Sequence, residues 1–148
     1  MKNIFDMKYL RVALLLMISL FVFAACEHEQ PTVVKNPLQQ APTFTDVQKI
    51  FTANCAFGGC HGDQNTEPRA KPQNLSAGKA YASIFNVAAT QSPALSRVKP
   101  NDPANSYLVR KLEGGPAISG GRMPLGGSLL AAQIQTIKDW IADGAKNN

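Results

Sequence analysis

Cys55-Ala56-Phe57-Gly58-Gly59-Cys60-His61 decides how the rest of the chain is read. Two thiols lie close together and an imidazole follows the second one directly. Attachment of a c-type haem needs that order of groups, usually as Cys-x-x-Cys-His: each thiol adds to a vinyl group at the porphyrin edge, and the next side chain reaches the iron. Here the spacer has four residues instead of two. Gly58-Gly59 accommodates the extra length, because glycine takes positive φ without steric cost and lets two residues bulge while both sulfurs stay in place. The same seven residues also read as a small Cys55–Cys60 disulfide beside an ordinary surface histidine, or as a metal site.

The flanks read as helices and loops. Thr45 with Gln48 three positions on fits a capping box, and Val47, Ile50 and Phe51 then share one helical face that runs into Cys55. Residues 62–74 are polar and broken by Pro68 and Pro72, hence a loop. Residues 76–85 read as a helix, with Leu75 entering and Ala80, Tyr81, Ile84 and Phe85 on a stripe. Residues 86–99 read as irregular. Asp102 is placed to cap and Pro103 to open the next helix, which carries Tyr107, Leu108 and Leu112 and stops at Gly114-Gly115. After a glycine-rich segment, the last helix spans Ala131 to Ala142, with Ile134, Ile137, Trp140 and Ile141 at helical spacing and Gly144 as terminator. Trp140, the single tryptophan, reads as core. No useful stretch alternates with period two, so the expected class is all-α, with four to five short helices.

Met123 is the second half of the expected site. Met1, Met7 and Met17 fall in the N-terminal targeting stretch, so Met123 is the only methionine after it. It lies off any helical stripe, in a loop, after Gly120-Gly121-Arg122 and before Pro124. Proline fixes the backbone and glycine removes crowding, which suits a thioether approaching a metal. His/Met ligation is the arrangement of electron-carrying haem proteins and raises the reduction potential. The competing reading is a methionine that plugs a gap under a loop. A haem would also give the irregular segments 86–99 and 113–128 an apolar body to wrap, in a domain small enough to need such help.

The N-terminus reads as a targeting segment. Lys2, Lys8 and Arg11 precede an apolar run, Val12 to Phe23, too short for an ordinary membrane span. Ala24-Ala25-Cys26 follows and resembles a bacterial lipoprotein signal over 1–25, with Cys26 as lipid anchor and Phe23 where leucine is usual. A plain secretory signal is the alternative, and either places the domain outside the cytoplasm. Cleavage before Cys26 removes those three basic residues and Asp6, so the formal charge falls from +5 to +3. No basic run interleaved with aromatics remains, which argues against nucleic acid as a partner. Arg97, Lys99, Arg110, Lys111 and Arg122 read as solvated, a few of them available to haem propionates or an acidic redox partner. Residues 26–42 read as an extended tether, in which His28 is poorly fixed for ligation. With Cys26 lipidated, Cys55 and Cys60 are the remaining thiols, and an oxidising envelope does not leave a neighbouring pair reduced.

Residues 43–148 carry a family resemblance. Val47-Gln48-Lys49-Ile50-Phe51 leading to Cys55 and Cys60-His61-Gly62 looks like the start of a cytochrome c domain. Val98-Lys99-Pro100, Asp102-Pro103, Ser106-Tyr107-Leu108-Val109 and Lys111-Leu112 resemble the middle of planctomycete-type (class I-like) cytochrome c domains. Gly121-Arg122-Met123-Pro124, Gln133-Ile134, Trp140-Ile141 and Gly144-Ala145 resemble their end. The resemblance implies a small cytochrome c-like domain wrapped around one haem, with first and last helices packed together. It implies one covalently attached haem c on Cys55, Cys60 and His61, with Met123 as sixth ligand.

The expectation is therefore an envelope lipoprotein on the periplasmic or cell-surface side, an electron carrier and not an enzyme. Its partners would be redox proteins of the envelope and, through Cys26, the membrane. The rival expectation is a haem-free binding or structural module with a Cys55–Cys60 disulfide. A copper or zinc site from Cys, Cys, His and Met is a third.

Overall fold

The computed structural model describes residues 40–64 and 73–148. The expected signal (1–25), the tether up to residue 39, Cys26 and His28 lie outside the described residues.

Helix α1, Phe44–Asn54, begins at Thr43 and not at Thr45. The Thr43 hydroxyl accepts from the Asp46 amide, and the Asp46 carboxylate accepts from the Thr43 amide at 3.1 Å, a reciprocal cap that satisfies two otherwise orphan donors. Sequence pattern missed it because aspartate replaces the usual Glu or Gln. The shift puts Phe44 on the buried face with Val47, Ile50 and Phe51.

Residues 76–79 form a turn instead of helix, with Gly78 at φ 78°, and α2 is only Ala80–Ile84. A small sheet corrects the all-α expectation. Ala88–Ala89 (β1) and Ser92–Ser96 (β2) form two antiparallel strands, pairing Ala88 with Ser96 and Ala89 with Ser92 across an irregular register. Isolated parallel bridges, Phe85 to Val98 and Ser96 to Ser106, extend the pairing at its base. These strands are short and built mostly of Ala, Ser and Pro, so they carry no alternating pattern by which sequence could show them. Arg97, expected in solvent, is 7 % exposed. Its guanidinium donates to the Ser83 carbonyl and the Thr90 hydroxyl, locking the hairpin onto the end of α2.

Asp102 does cap, accepting from the Asn105 amide, but the turn it opens is a single 3-10 turn, Pro103–Asn105. Helix α3, Tyr107–Glu113, follows and ends at Gly114, φ 82°. Helix α4 spans Ala131–Ala142, and Gln133 Oε1 accepts from the Leu130 amide at its start. The content of the described residues is thus four α-helices and a two-stranded sheet.

Helices α1 and α4 pack together, and α3 packs on α4. Their contact is centred on Trp140, 1 % exposed, whose ring lies 5.4 Å from Phe44 and 6.5 Å from Tyr81, centroid to centroid. Tyr81 stacks on Phe85 at 4.9 Å. The polar ends of both large rings are satisfied: Trp140 Nε1–H donates to the Lys146 carbonyl and the Tyr81 hydroxyl to the Ala145 carbonyl. Asn148 accepts from the Phe44 and Thr45 amides, so the last residues close over the start of α1. Among the described residues no helix is long and apolar enough to cross a membrane.

Candidate functional site

Helix α1 delivers Cys55 as its C-cap. The amides of Cys55 and Ala56 both donate to the Phe51 carbonyl, at 2.8 and 2.9 Å, so the chain leaves the helix in a fixed direction. The next residues turn back on themselves. The Cys60 and Gly62 amides donate to the Phe57 carbonyl, and the His61 amide donates to the Cys55 carbonyl at 3.1 Å. The four-residue spacer is therefore a closed turn, with Gly59 at φ 81°, and it returns His61 to the residue from which it started. Gly62 seals the turn. A Cβ there would lie 2.7 Å from the Ala56 oxygen and 2.8 Å from that of Phe57, closer than carbon and backbone oxygen tolerate.

The two thiols differ. Cys55 is half-buried and packs against the core, whereas Cys60 is exposed; both are free. Burial pushes the Cys55 thiol up to about 11, and the neighbouring Cys60 adds to the shift. Loss of solvation disfavours the thiolate, and a second negative charge nearby disfavours it further.

His61 is half-buried and its ring is held. Nδ1 lies 3.1 Å from the Gln73 carbonyl oxygen. A carbonyl only accepts, so Nδ1 carries the proton and the lone pair is on Nε2. A ligand histidine that donates its other ring N–H to a backbone carbonyl has its tautomer fixed and its basicity raised. The same return segment is held by the Leu75 amide on the His61 carbonyl at 2.7 Å. Beside it, Asp63 accepts from Asn74 and Lys79; hydrogen bonding to Lys79, then to Asn74, holds its carboxyl below the usual range.

Met123 comes from the other side of the sequence, half-buried, packed on the same core cluster as Cys55 and Ala56. Its loop is fastened to α3. The Met123 amide donates to the Lys111 carbonyl at 2.8 Å. Lys111 Nζ donates to the Ser119 and Gly121 carbonyls at 3.0 and 2.5 Å, Arg122 Nε to the Leu112 carbonyl, and the Ser119 amide to the Tyr107 hydroxyl. The glycine-rich segment is thus organised by the chain's own groups, which removes the sequence argument that it needs a haem to wrap. Lys111, expected in solvent, is 8 % exposed, and burial lowers its pKa. Its position was recoverable: it stands four residues after Tyr107 and three after Leu108, on the buried face of α3.

The structure brings Cys55, Cys60 and His61 into one turn and sets Met123 on the core cluster that Cys55 joins. Among the described residues, no three or more His, Cys, Asp and Glu side chains gather to hold a metal ion. The residues would fit a haem in two respects. Nε2 of a fixed imidazole and a thioether sulfur are the donors that haem iron takes. Phe57, 50 % exposed, and Leu125, 79 % exposed, put large apolar side chains in the cysteine turn and the methionine loop. Two open grooves, of about 580 and 510 Å³, lie elsewhere along α1, lined by Phe44, Gln48 and Thr52 in one and by Asp46, Ile50 and Gln133 in the other.

No family model, curated protein or solved structure matches this chain.

Proposed function

We propose that this chain is a monohaem electron carrier of the bacterial cell envelope, related to planctomycete-type cytochrome c domains. Cys55 and Cys60 would hold one haem c covalently, with His61 and Met123 as the ligands of its iron. The lipid on Cys26 anchors it to the membrane, on the periplasmic or cell-surface side. Its partners are redox proteins of the envelope, and it transforms no substrate.

The observation that carries the reading is the His61–Gln73 hydrogen bond, in which Nδ1–H donates to the carbonyl and the lone pair stays on Nε2 for a metal. The closed turn supports it by returning the backbone of Cys60 and His61 to that of Cys55. The packing of α1 on α4, which the resemblance implies, supports it as well. The haem, when bound, supplies a one-electron iron couple. The chain does the rest. Cys55 and Cys60 bind the macrocycle, and Gln73 orients the imidazole. The α3 contacts hold Met123 in place, and a thioether in that position favours the reduced state. Phe57 and Leu125, exposed in the chain alone, would offer apolar surface to the macrocycle.

One observation favours a second reading, a haem-free binding or structural module. Cys60 lies close enough to Cys55 for its charge to act on the thiol, and such a pair oxidises readily outside the cytoplasm. Intact-mass measurement with thiol counting separates the two on protein made with haem-attachment machinery. A mass increased by one haem with no free thiol after Cys26 supports the carrier. A mass two hydrogens below the reduced chain supports the disulfide module and refutes the carrier.

A further inference from the structure

We propose that Lys111 is a positioning residue for Met123: its ammonium and its own carbonyl supply most of the bonds that fasten the loop placing the sulfur, with Arg122 and Tyr107 adding one each. The ligand role of Met123 rests on the proposed haem; the fastening of the loop does not.

Lys111 grips the loop at three alternate positions. Its ammonium donates to the carbonyls of Ser119 and Gly121, and its own carbonyl accepts from the Met123 amide. The side chain enters from the buried face of α3, flanked by Tyr107, Leu108 and Leu112. A lysine at such a place costs desolvation, and a methionine or leucine would fill the space without that cost. What the ammonium adds is charge-assisted bonds to carbonyls of a glycine-rich segment that has few side chains of its own to hold it. Gly120 sits between the two bonded carbonyls at φ 69°, so the loop turns around the ammonium and presents Met123 three residues later. The Tyr107 hydroxyl, which accepts from the Ser119 amide, is a second and weaker tie. Arg110, the residue before it on α3, points its guanidinium instead to the Ala104 carbonyl and Asn105.

Lys111→Met keeps the stem and the backbone carbonyl and deletes the ammonium. The test measures tryptic cleavage after Arg122 in the full-length protein as isolated, with cleavage after Lys49 in α1 and Lys138 in α4 as internal references. Loss of two charge-assisted bonds should raise the rate at Arg122 about tenfold or more relative to both references. Tyr107→Phe should raise it less. In haem-carrying protein the Lys111→Met variant should also lose part of its sulfur-to-iron charge-transfer absorption and take up added imidazole faster. An unchanged rate at Arg122 overturns the proposal. So does an equal rise at all three sites, which is a general loss of stability, or an unaltered charge-transfer band in haem-carrying protein. If the isolated protein holds no haem, the carrier reading fails, and the cleavage ratio still decides whether Lys111 fixes the loop.

Discussion

His61 Nδ1 and the Gln73 carbonyl oxygen, twelve residues apart in sequence, lie 3.1 Å from each other. A backbone oxygen cannot be mutated away or titrated, so the protonated nitrogen of that ring is set by the fold. His61→Gln keeps a polar side chain but offers no nitrogen lone pair to a metal. In haem-carrying protein this substitution should abolish low-spin ligation from that side while α1 and α4 stay folded. Visible and circular dichroism spectra taken together check both halves of the statement.

Met123→Ala should leave the haem attached, since the sulfurs of Cys55 and Cys60 hold it, and should lower the reduction potential. A potentiometric titration reads the direction. An unchanged potential would show that Met123 only fills space beside the core.

Gly62→Ala places a carbon within 2.8 Å of two carbonyl oxygens. Overpacking of this kind costs about 1–3 kcal/mol, and here the strain falls on the turn itself. The expected result is a lowered midpoint in denaturant with an unchanged m-value. Gly59→Ala meets no atom within 4 Å but must hold φ 81°, and should cost less.

The two thiols should separate by reactivity in the haem-free, reduced chain. Cys60 is exposed, while Cys55 is shifted from its ordinary 9.0 to about 11 by burial and by Cys60. Iodoacetamide at pH 8 should label Cys60 first. The same shift makes stability depend on pH. Between about 9 and 11 the unfolded chain releases the Cys55 proton and the folded chain retains it, so stability is full below pH 9 and falls as pH rises through that window. The loss is about 2–3 kcal/mol at most. Denaturant midpoints measured from pH 8 to 11 test it, with Cys55→Ala as the variant whose midpoint should fall less over that window.

Trp140→Ala removes the ring around which α1, α2 and the C-terminal residues meet. A loss of about 3–5 kcal/mol is expected, large enough to unfold a domain of this size in calorimetry near ambient temperature.

How much of the fold was legible in the chain depended on the length and contrast of each pattern. Ile134, Ile137, Trp140 and Ile141 repeat within one twelve-residue helix, and α4 lies where that spacing put it. Asp102 and Pro103 marked a turn, but one that stays 3-10 because Ser106 breaks it before α3 begins. The hairpin was invisible: two residues of β1 and a β2 of Ser, Pro, Ala, Leu and Ser offer no alternation. Arg97 and Lys111 were read as solvent-facing by residue type alone. Carbonyls of neighbouring segments receive both charges; helical spacing marked Lys111 as inward-facing, whereas the burial of Arg97 depends on tertiary placement. Within the candidate site, Cys55, Cys60 and His61 were named from their spacing, and Met123 as the lone methionine of a glycine-rich loop before proline. The partners that hold them, Gln73 and Lys111, could not, since each acts through a backbone oxygen or through a contact distant in sequence.

The most direct measurement is the visible spectrum of the protein isolated from its native envelope, reduced, and recorded again in strong denaturant. The account predicts a haem spectrum whose Soret absorption stays with the polypeptide after unfolding. A colourless protein without iron, with Cys55 bonded to Cys60, would contradict it.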